Sequence, residues 1–205
     1  MKTQRFLYSF LRLILPLFMG SIFAFFSINN VINKSNHKTI NGSWHVYEKM
    51  DLSANLFQRA VIARIGLFAL QEKEVLYFEA SSDSEGRPLE SQYDYELSGI
   101  DLDARYWSFT IYGDDFFLIP NLENKYNINS SNIVTHKRDT INGLTHYKIN
   151  ISSKEKRINW IPSGEKQQQL YLTLRLYNPA PEVYNNIKSL ALPVIKRIKK
   201  ENEVL

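Results

Sequence analysis

Cysteine is absent from this chain of 205 residues. Its absence excludes disulfide bonds, thiolate catalysis, and zinc or iron–sulfur sites held by cysteine. It does not fix the compartment, because a domain of this length can bury enough apolar surface to be stable outside the cytoplasm without disulfides. The compartment must therefore be inferred from the N-terminus.

The body of the chain, which follows residue 28, also lacks an excess of positive charge. The formal net charge is +4, but Lys2, Arg5 and Arg12 lie in the first 28 residues, which contain no acid. The remaining 22 basic residues almost balance the 21 acidic ones. Nucleic-acid binding needs a basic surface, so we expect no nucleic-acid partner.

The motifs that usually carry catalysis are missing too. There is no HExxH zinc motif, no nucleophile elbow and no glycine-rich phosphate loop. Carboxylate pairs are the usual route to hydrolysis, but Asp101/Asp103 and Asp114/Asp115 lie in predicted turns, where aspartate commonly accepts backbone hydrogen bonds. We expect no cofactor and no metal, and nothing here argues for an enzyme.

What the sequence does contain is a long apolar run near its N-terminus. Residues 6–28 hold a single charge, Arg12, and are long enough for a helix that crosses a bilayer. The basic residues before the run predict a cytoplasmic N-terminus and an extracytoplasmic body. Two alternatives stay open, a signal peptide with a poor cleavage site near Ala24 and Ser27, and a buried core helix.

Aromatic and apolar residues are plentiful, and their spacing predicts one helix followed by many strands. Apolar residues three or four apart predict a helix over about 53–71, and alternation predicts strands elsewhere. The predicted strands are 44–48, 75–81, 93–97, 106–112, 116–119, 133–137, 145–151, 170–177 and 192–198. This pattern is typical of a mainly β, antiparallel β-sandwich or jelly-roll-like domain, here preceded by a transmembrane helix.

The pair Asn142–Gly143 predicts a two-residue type I′ hairpin turn. With that turn, His136 and His146 lie on opposite faces of the hairpin and cannot share a metal ion.

Residues from about Gly42 to Ile198 resemble the bacterial DUF1214 family. The segments that carry the resemblance are RAVIARIGLFAL (59–70), DSEGRPL (83–89), ARYWSFTIY (104–112), PN (120–121), NWIPSG (159–164), LTLRLYNP (172–179) and LPVIKRI (192–198). DUF1214 is a domain of unknown function often found beside a DUF1254 domain. The resemblance implies a jelly-roll-like domain and no established reaction, in a short form whose anchor replaces DUF1254.

Four parts of the chain follow from these observations. They are a cytoplasmic stub and transmembrane anchor (1–28), a polar tether (29–43), a DUF1214-like β-sandwich domain (44–200) and a tail (201–205). We expect a single-pass protein of the bacterial inner membrane, with its globular domain on the periplasmic side.

Two predicted strands share an unusual alternation and supply the candidate ligand-binding residues. One face of each is apolar, and the opposite faces carry Tyr106, Ser108, Thr110 and Tyr112, and Tyr171, Thr173, Arg175 and Tyr177. In one sheet they would form a surface for a polar or glycan-like ligand. The alternative is that tyrosine and threonine are simply good strand formers, covered by the 53–71 helix.

Second-rank candidates come from the family segments and the turns: Arg105, Asn121, Trp160, Asp114 and Asp115. The expected function is a membrane-anchored binding or accessory module of the bacterial envelope. Two alternatives are an envelope enzyme acting on a carbohydrate or lipid-derived substrate, and a subunit that docks another envelope protein.

Overall fold

The computed structural model describes residues 2–34, 38–40, 42–46, 60, 73–134, 137–138 and 143–198. Apart from Ala60, which is helical, the predicted helix at 53–71 lies outside the described residues. The chain forms two compact units, one of residues 1–36 and 50–70 and the other of residues 37–49 and 71–205.

The first unit contains helix α1, Lys2–Lys34, with Pro16 inside it. The helix continues into the segment predicted as a tether, because residues 29–34 contain no glycine or proline to end it. Within the part of the chain that the structure describes, no helix is both long and apolar enough to cross a bilayer. Several side chains of the predicted anchor are not described, and the anchor stays a prediction.

The described part of the second unit contains two β-sheets. The first sheet has the order β1 (Lys38–Ile40), β2 (Trp44–Val46), β3 (Val75–Ala80), β10 (Tyr171–Pro179), β5 (Ala104–Tyr112) and β6 (Asn127–Asn129). The second has the order β11 (Val194–Ile198), β4 (Asp94–Ile100), β8 (Thr145–Ser152) and β7 (Lys137–Arg138), with β9 (Trp160–Pro162) pairing parallel to β8. All other pairings are antiparallel.

The core lies between the two sheets, as the strand alternation predicts. The apolar face of β10, with Leu172, Leu174 and Leu176, is buried. Ring contacts join the sheets, since Trp107 of β5 lies 5.2 Å from Tyr147 of β8 between ring centres. The mainly β prediction is confirmed, with one antiparallel sheet and one mixed sheet, whereas the more specific jelly-roll assignment stays a prediction.

A short helix, α2 (Pro181–Asn185), follows β10 and was not expected from the sequence. Proline at its first turn favours helix initiation, and Val183 anchors the turn in the core.

The strand register predicted from a two-residue turn at Asn142–Gly143 is wrong. Such a turn would set His146 opposite Asp139, whereas His146 of β8 lies opposite Lys137 of β7. Residues 139–142 themselves lie outside the described residues. The register of β8 is fixed by its long pairing with β4 and by its buried apolar face, which together outweigh the local turn preference.

The predicted strand at 116–119 is also wrong. These residues form a bend with one bridge, between Tyr112 and Leu118. Phe116 has φ of 61°, a left-handed conformation that no strand contains. The Asp115 carboxylate accepts a hydrogen bond from the Phe117 N–H at 2.9 Å and so favours the bend.

The family segment 83–89 forms a turn organised by one buried carboxylate. Asp83 Oδ1 accepts hydrogen bonds from the backbone N–H groups of Glu85 and Arg87, at 3.0 and 2.9 Å. Its Oδ2 accepts from Arg87 Nε at 2.7 Å. Ser84 Oγ accepts from the backbone N–H of Ile195 at 2.9 Å, which joins the turn to β11. This segment has a structural role.

Candidate functional site

The eight residues predicted to bind a ligand lie on two neighbouring strands, β5 and β10. The register sets them opposite one another as Tyr112 with Tyr171, Thr110 with Thr173, Ser108 with Arg175, and Tyr106 with Tyr177. Residues directly opposite in an antiparallel pair project to the same side of the sheet. The structure therefore brings all eight together, and we call this set the polar face.

Arg175 is held in place by its neighbours on the polar face. Its Nη2 donates to Tyr112 Oη at 2.7 Å, and its Nη1 donates to Thr110 Oγ1 at 3.3 Å. The guanidinium carbon lies 5.7 Å from the centre of the Tyr112 ring and 5.8 Å from that of Tyr77, within cation–π range. The cation is thus fixed in position and orientation.

Tyr77 belongs to the same surface, although the sequence analysis did not identify it. Strand β3 pairs with β10 and sets Tyr77 opposite Arg175. Burial raises the pKa of Tyr77, although the positive charge of Arg175 acts in the opposite direction. The phenol is therefore protonated at neutral pH. Alternation places Tyr77 on a face of β3, but it cannot show which strand lies beside it.

Aromatic pairs lie at both ends of the polar face. Tyr106 and Tyr177 have their ring centres 5.5 Å apart at one end. At the other end, the ring of Phe116 lies 4.6 Å from that of Tyr171. Both separations suit offset aromatic contacts. These contacts restrict the rings and give the face a defined shape.

The three hydroxyl residues of the polar face are less accessible than its tyrosines. Ser108, Thr110 and Thr173 are buried, because their short side chains lie between larger ones. The four tyrosines and Arg175 are half-buried. A ligand would therefore contact the tyrosine rings and the guanidinium more than these three hydroxyl groups.

Strand β6 extends the polar face with two asparagines that were not predicted as site residues. Asn127 lies opposite Thr110, and Asn129 lies opposite Ser108. The Asn129 Nδ2 donates to Asn127 Oδ1 at 2.8 Å. A three-residue strand is too short to identify by alternation.

Asn121 and Trp160, both second-rank candidates, organise local structure. Asn121 Nδ2 donates to the carbonyls of Ile119 and Lys125, each at 3.1 Å, and its Oδ1 accepts from the Lys125 N–H at 2.9 Å. Trp160 is buried and its Nε1 donates to the Ser152 carbonyl at 2.9 Å. Their hydrogen-bonding groups therefore hold loops in place.

The remaining second-rank candidates lie near the start of β5 and in the loop that follows it. Arg105 is exposed near the start of β5. Asp114 pairs with Lys166 at 3.2 Å between two exposed side chains. The Asp115 carboxylate accepts a hydrogen bond from the Phe117 N–H, which is the role in a turn that the sequence predicts for it. The structure therefore places both aspartates in a loop.

Histidines and acids do not form a metal centre in the described part of the chain, where no three such side chains converge. His146 is exposed on β8, and His45 is half-buried on β2. His37 and His136 lie outside the described residues.

A cleft opens between the loop after β5 and the segments around β9, and the second-rank candidates Asp115, Asn121 and Trp160 contribute to its lining. Its volume is about 740 Å³, and residues 113–123, Ser153 and residues between 160 and 168 contribute to its lining. A second cavity of about 390 Å³ shares Glu123 and Trp160 with it. The two walls are far apart in the sequence, so no local pattern could predict the cleft.

Solved structures similar to this chain include two proteins that are longer than it. The VPA0106 protein from Vibrio parahaemolyticus is similar with 25% identity and a TM-score of 0.56, over 71% of this chain and 36% of that protein. An uncharacterized protein from Burkholderia cenocepacia is similar with 16% identity and a TM-score of 0.39, over 61% of this chain and 29% of that protein. The chain spans about a third of their length.

No curated protein matches the sequence. The family model described as "Protein of unknown function (DUF1214)" matches residues 74–181, which include β3 to β10. The match covers more than half of the chain and contains the whole polar face. The chain therefore belongs to the DUF1214 family.

Proposed function

We propose that the chain is a binding or accessory module of the bacterial envelope, tethered to the inner membrane by its N-terminal segment. The polar face takes a polar or glycan-like ligand on the periplasmic side. The observation that carries this proposal is the register of β5 and β10, which aligns four tyrosines, three hydroxyl residues and Arg175 on one surface.

The chemistry of the polar face suits a sugar-like molecule. Tyrosine rings offer flat apolar area to the C–H faces of a ring, while their hydroxyls exchange hydrogen bonds with ligand hydroxyls. The guanidinium of Arg175 has five N–H donors in a rigid plane. Because Tyr112 and Thr110 already fix it, less side-chain freedom is lost on binding.

Support for the tether comes from α1 and from the charges around it. The helix is continuous over Lys2–Lys34, and its described apolar side chains, such as Phe18 and Phe23, are exposed. Lys2, Arg5 and Arg12 favour a cytoplasmic start.

The test is a glycan-array and calorimetric screen of the full chain, followed by substitutions on the polar face. Arg175→Ala and Tyr112→Ala should each weaken binding of any ligand found by about ten-fold or more, since each removes a central contact. Arg175→Lys should recover little, because an ammonium lacks the planar fork.

The control is Lys196→Ala, which removes an exposed cation from β11 in the other sheet. It should leave affinity unchanged. If the Arg175 and Tyr112 variants also left every affinity unchanged, the polar face would not be the binding site.

The enzyme alternative gains nothing from the geometry. The carboxylates that could serve such an enzyme are those of Asp114 and Asp115. Asp114 forms an ion pair with Lys166, and Asp115 accepts a hydrogen bond from the Phe117 N–H. Acid–base hydrolysis needs two carboxyl groups that face one bond of the substrate from opposite sides.

A further inference from the structure

The cleft between the β5–β6 loop and the segments around β9 has the size of a small-molecule site. Its volume of about 740 Å³ lies within the range usual for ligand pockets. It adjoins the smaller cavity of about 390 Å³ through Glu123 and Trp160, which line both. The two adjoining cavities give the site a larger and a smaller end with chemically different linings.

The larger end is apolar on the side of the β5–β6 loop. Phe117, Leu118 and Leu122 line it with exposed side chains, and Leu122 is 98% exposed. Single exposed apolar residues are ordinary on a protein surface, but several grouped around one concave site commonly mark a binding region. This end of the site suits a hydrocarbon chain or ring.

The loop that carries these side chains is held in one conformation. Phe116 keeps φ at 61°, which is unfavourable for a residue with a β-carbon, and its ring lies 4.6 Å from that of Tyr171 at a tilt of 35°. The Gly113 N–H donates to the Phe117 carbonyl at 3.0 Å, and the Phe117 N–H donates to Asp115. Backbone strain retained in an exposed loop is typical of functional sites.

The smaller end is polar and carries charges of both signs. Its charged lining residues are Lys125, Lys156, Arg157, Glu123 and Glu155, and asparagines and Tyr126 complete it. Lys156 is paired with Asp94 at 3.2 Å, which leaves two cations and two carboxylates at this end. Lys125 Nζ also lies 5.7 Å from the centre of the Trp160 ring. Donors and acceptors of balanced charge suit a neutral head with several hydroxyl groups better than an ion of one sign.

We propose that the two cavities bind one amphipathic molecule, with its apolar chain against Phe117, Leu118 and Leu122 and its polyhydroxyl head beside Lys125 and Arg157. The ligand class is an alkyl glycoside or a glycolipid of similar size. The lining of the smaller cavity includes Asn127, which borders the polar face, but none of the eight residues of the polar face lines either cavity. The inference therefore stands whether or not the polar face binds a ligand.

The experiment uses the full chain in lipid nanodiscs and an octyl glucoside that carries a photoreactive diazirine on its alkyl chain. Peptide mass spectrometry locates the label, so labelling of α1 is distinguished from labelling of the cleft. We expect labelled peptides from residues 113–123 and 160–168. Unlabelled octyl glucoside should compete for this labelling, whereas glucose alone and octanol alone should not.

The apolar end is tested by Phe117→Ala combined with Leu122→Ala, at exposed positions where truncation leaves the fold intact. Loss of two apolar contacts should reduce cleft labelling by about ten-fold. The control Val194→Ala removes an exposed apolar side chain from β11 and should not reduce it. Equal cleft labelling of the parent, the double variant and the Val194→Ala control would overturn the proposal, and so would label confined to α1.

The polar end is tested by Lys125→Ala combined with Arg157→Ala and by the choice of competitor. This double variant should lose labelling by octyl glucoside, and octyl phosphate and octylamine should compete poorly. Strong competition by either charged compound would overturn the neutral-head assignment. Arg175→Ala should leave cleft labelling unchanged, so failure of this site and failure of the polar face give different results.

Discussion

At the scale of single residues, several polar side chains of the family segments hold turns and loops. Asp83 organises the 83–89 turn, and Trp107 Nε1 donates to Asp101 Oδ1 at 2.5 Å. Asn159 Nδ2 donates to the carbonyls of Val134 and Lys148, at 2.6 and 2.8 Å. These roles are local, and a sequence motif alone does not distinguish them from binding roles.

Asp83→Asn is expected to destabilise the protein by about 1–3 kcal/mol at pH 7, because it weakens a buried, charge-assisted set of hydrogen bonds. Burial raises the pKa of Asp83, but the hydrogen bonds from Arg87 and Glu85 outweigh it and lower the pKa overall. Because the pKa of Asp83 is lower in the folded protein than in the unfolded chain, its carboxylate contributes to the free energy of unfolding above about pH 4. This contribution is lost as the pH falls through the pKa of the folded state.

The measurement is urea unfolding at pH 7 and at pH 3, with Glu85→Gln as the control on the same turn. That control removes an exposed carboxylate and should change the free energy of unfolding by less than about 1 kcal/mol. An Asp83→Asn variant with the same loss of stability on acidification as the parent would contradict the assignment. Glu96, whose pKa is lowered by Lys148, adds a similar acid sensitivity to both proteins.

At the scale of elements, the alternation of apolar and polar residues predicted the central strands well, because each strand has one apolar face and one polar face. The apolar face of β10 lies in the core, and its opposite face carries the tyrosines and Arg175. The register predicted from a turn at Asn142–Gly143 was wrong because the long pairing of β8 with β4 prevailed over a local preference. The strand predicted at 116–119 was wrong because a side-chain hydrogen bond favours a bend there. Pairing partners such as Tyr77 and Arg175 cannot be read from periodicity.

Leu174→Ala is expected to lower the free energy of unfolding by about 2–5 kcal/mol, because it creates a cavity in the centre of the first sheet. Leu174 is 1% exposed and lies between Phe78 of β3 and Phe109 of β5. Val194→Ala, at a side chain that is 55% exposed, should cost less than about 0.5 kcal/mol. Thermal unfolding followed by near-ultraviolet circular dichroism measures both, and equal costs would contradict the position of the core.

At the scale of the whole molecule, the body and the proposed tether were inferred from two different sequence signals. The mainly β body and the family membership follow from alternation and from the quoted segments. The cleft could not be predicted, because its walls are joined only when β5, β9 and β10 take their places in the fold. The tether, by contrast, was proposed from composition and charge alone.

The proposed topology predicts that the full chain stays in the membrane fraction after alkaline extraction and that protease added outside spheroplasts digests the body. Phe18→Asp with Phe23→Asp should release the protein, because each central charge costs about 2.5–3.5 kcal/mol in a membrane helix. Ser21→Ala is the control. A body protected from external protease, or a parent chain released by alkali, would contradict the tether.

The left-handed conformation of Phe116 has a kinetic consequence. The contact of its ring with Tyr171 and the hydrogen bond from the Phe117 N–H to Asp115 hold the loop in this conformation before any ligand arrives. A molecule entering the cleft would then meet walls already in their final arrangement. Its association rate would be governed by diffusion and orientation, with no slow rearrangement step.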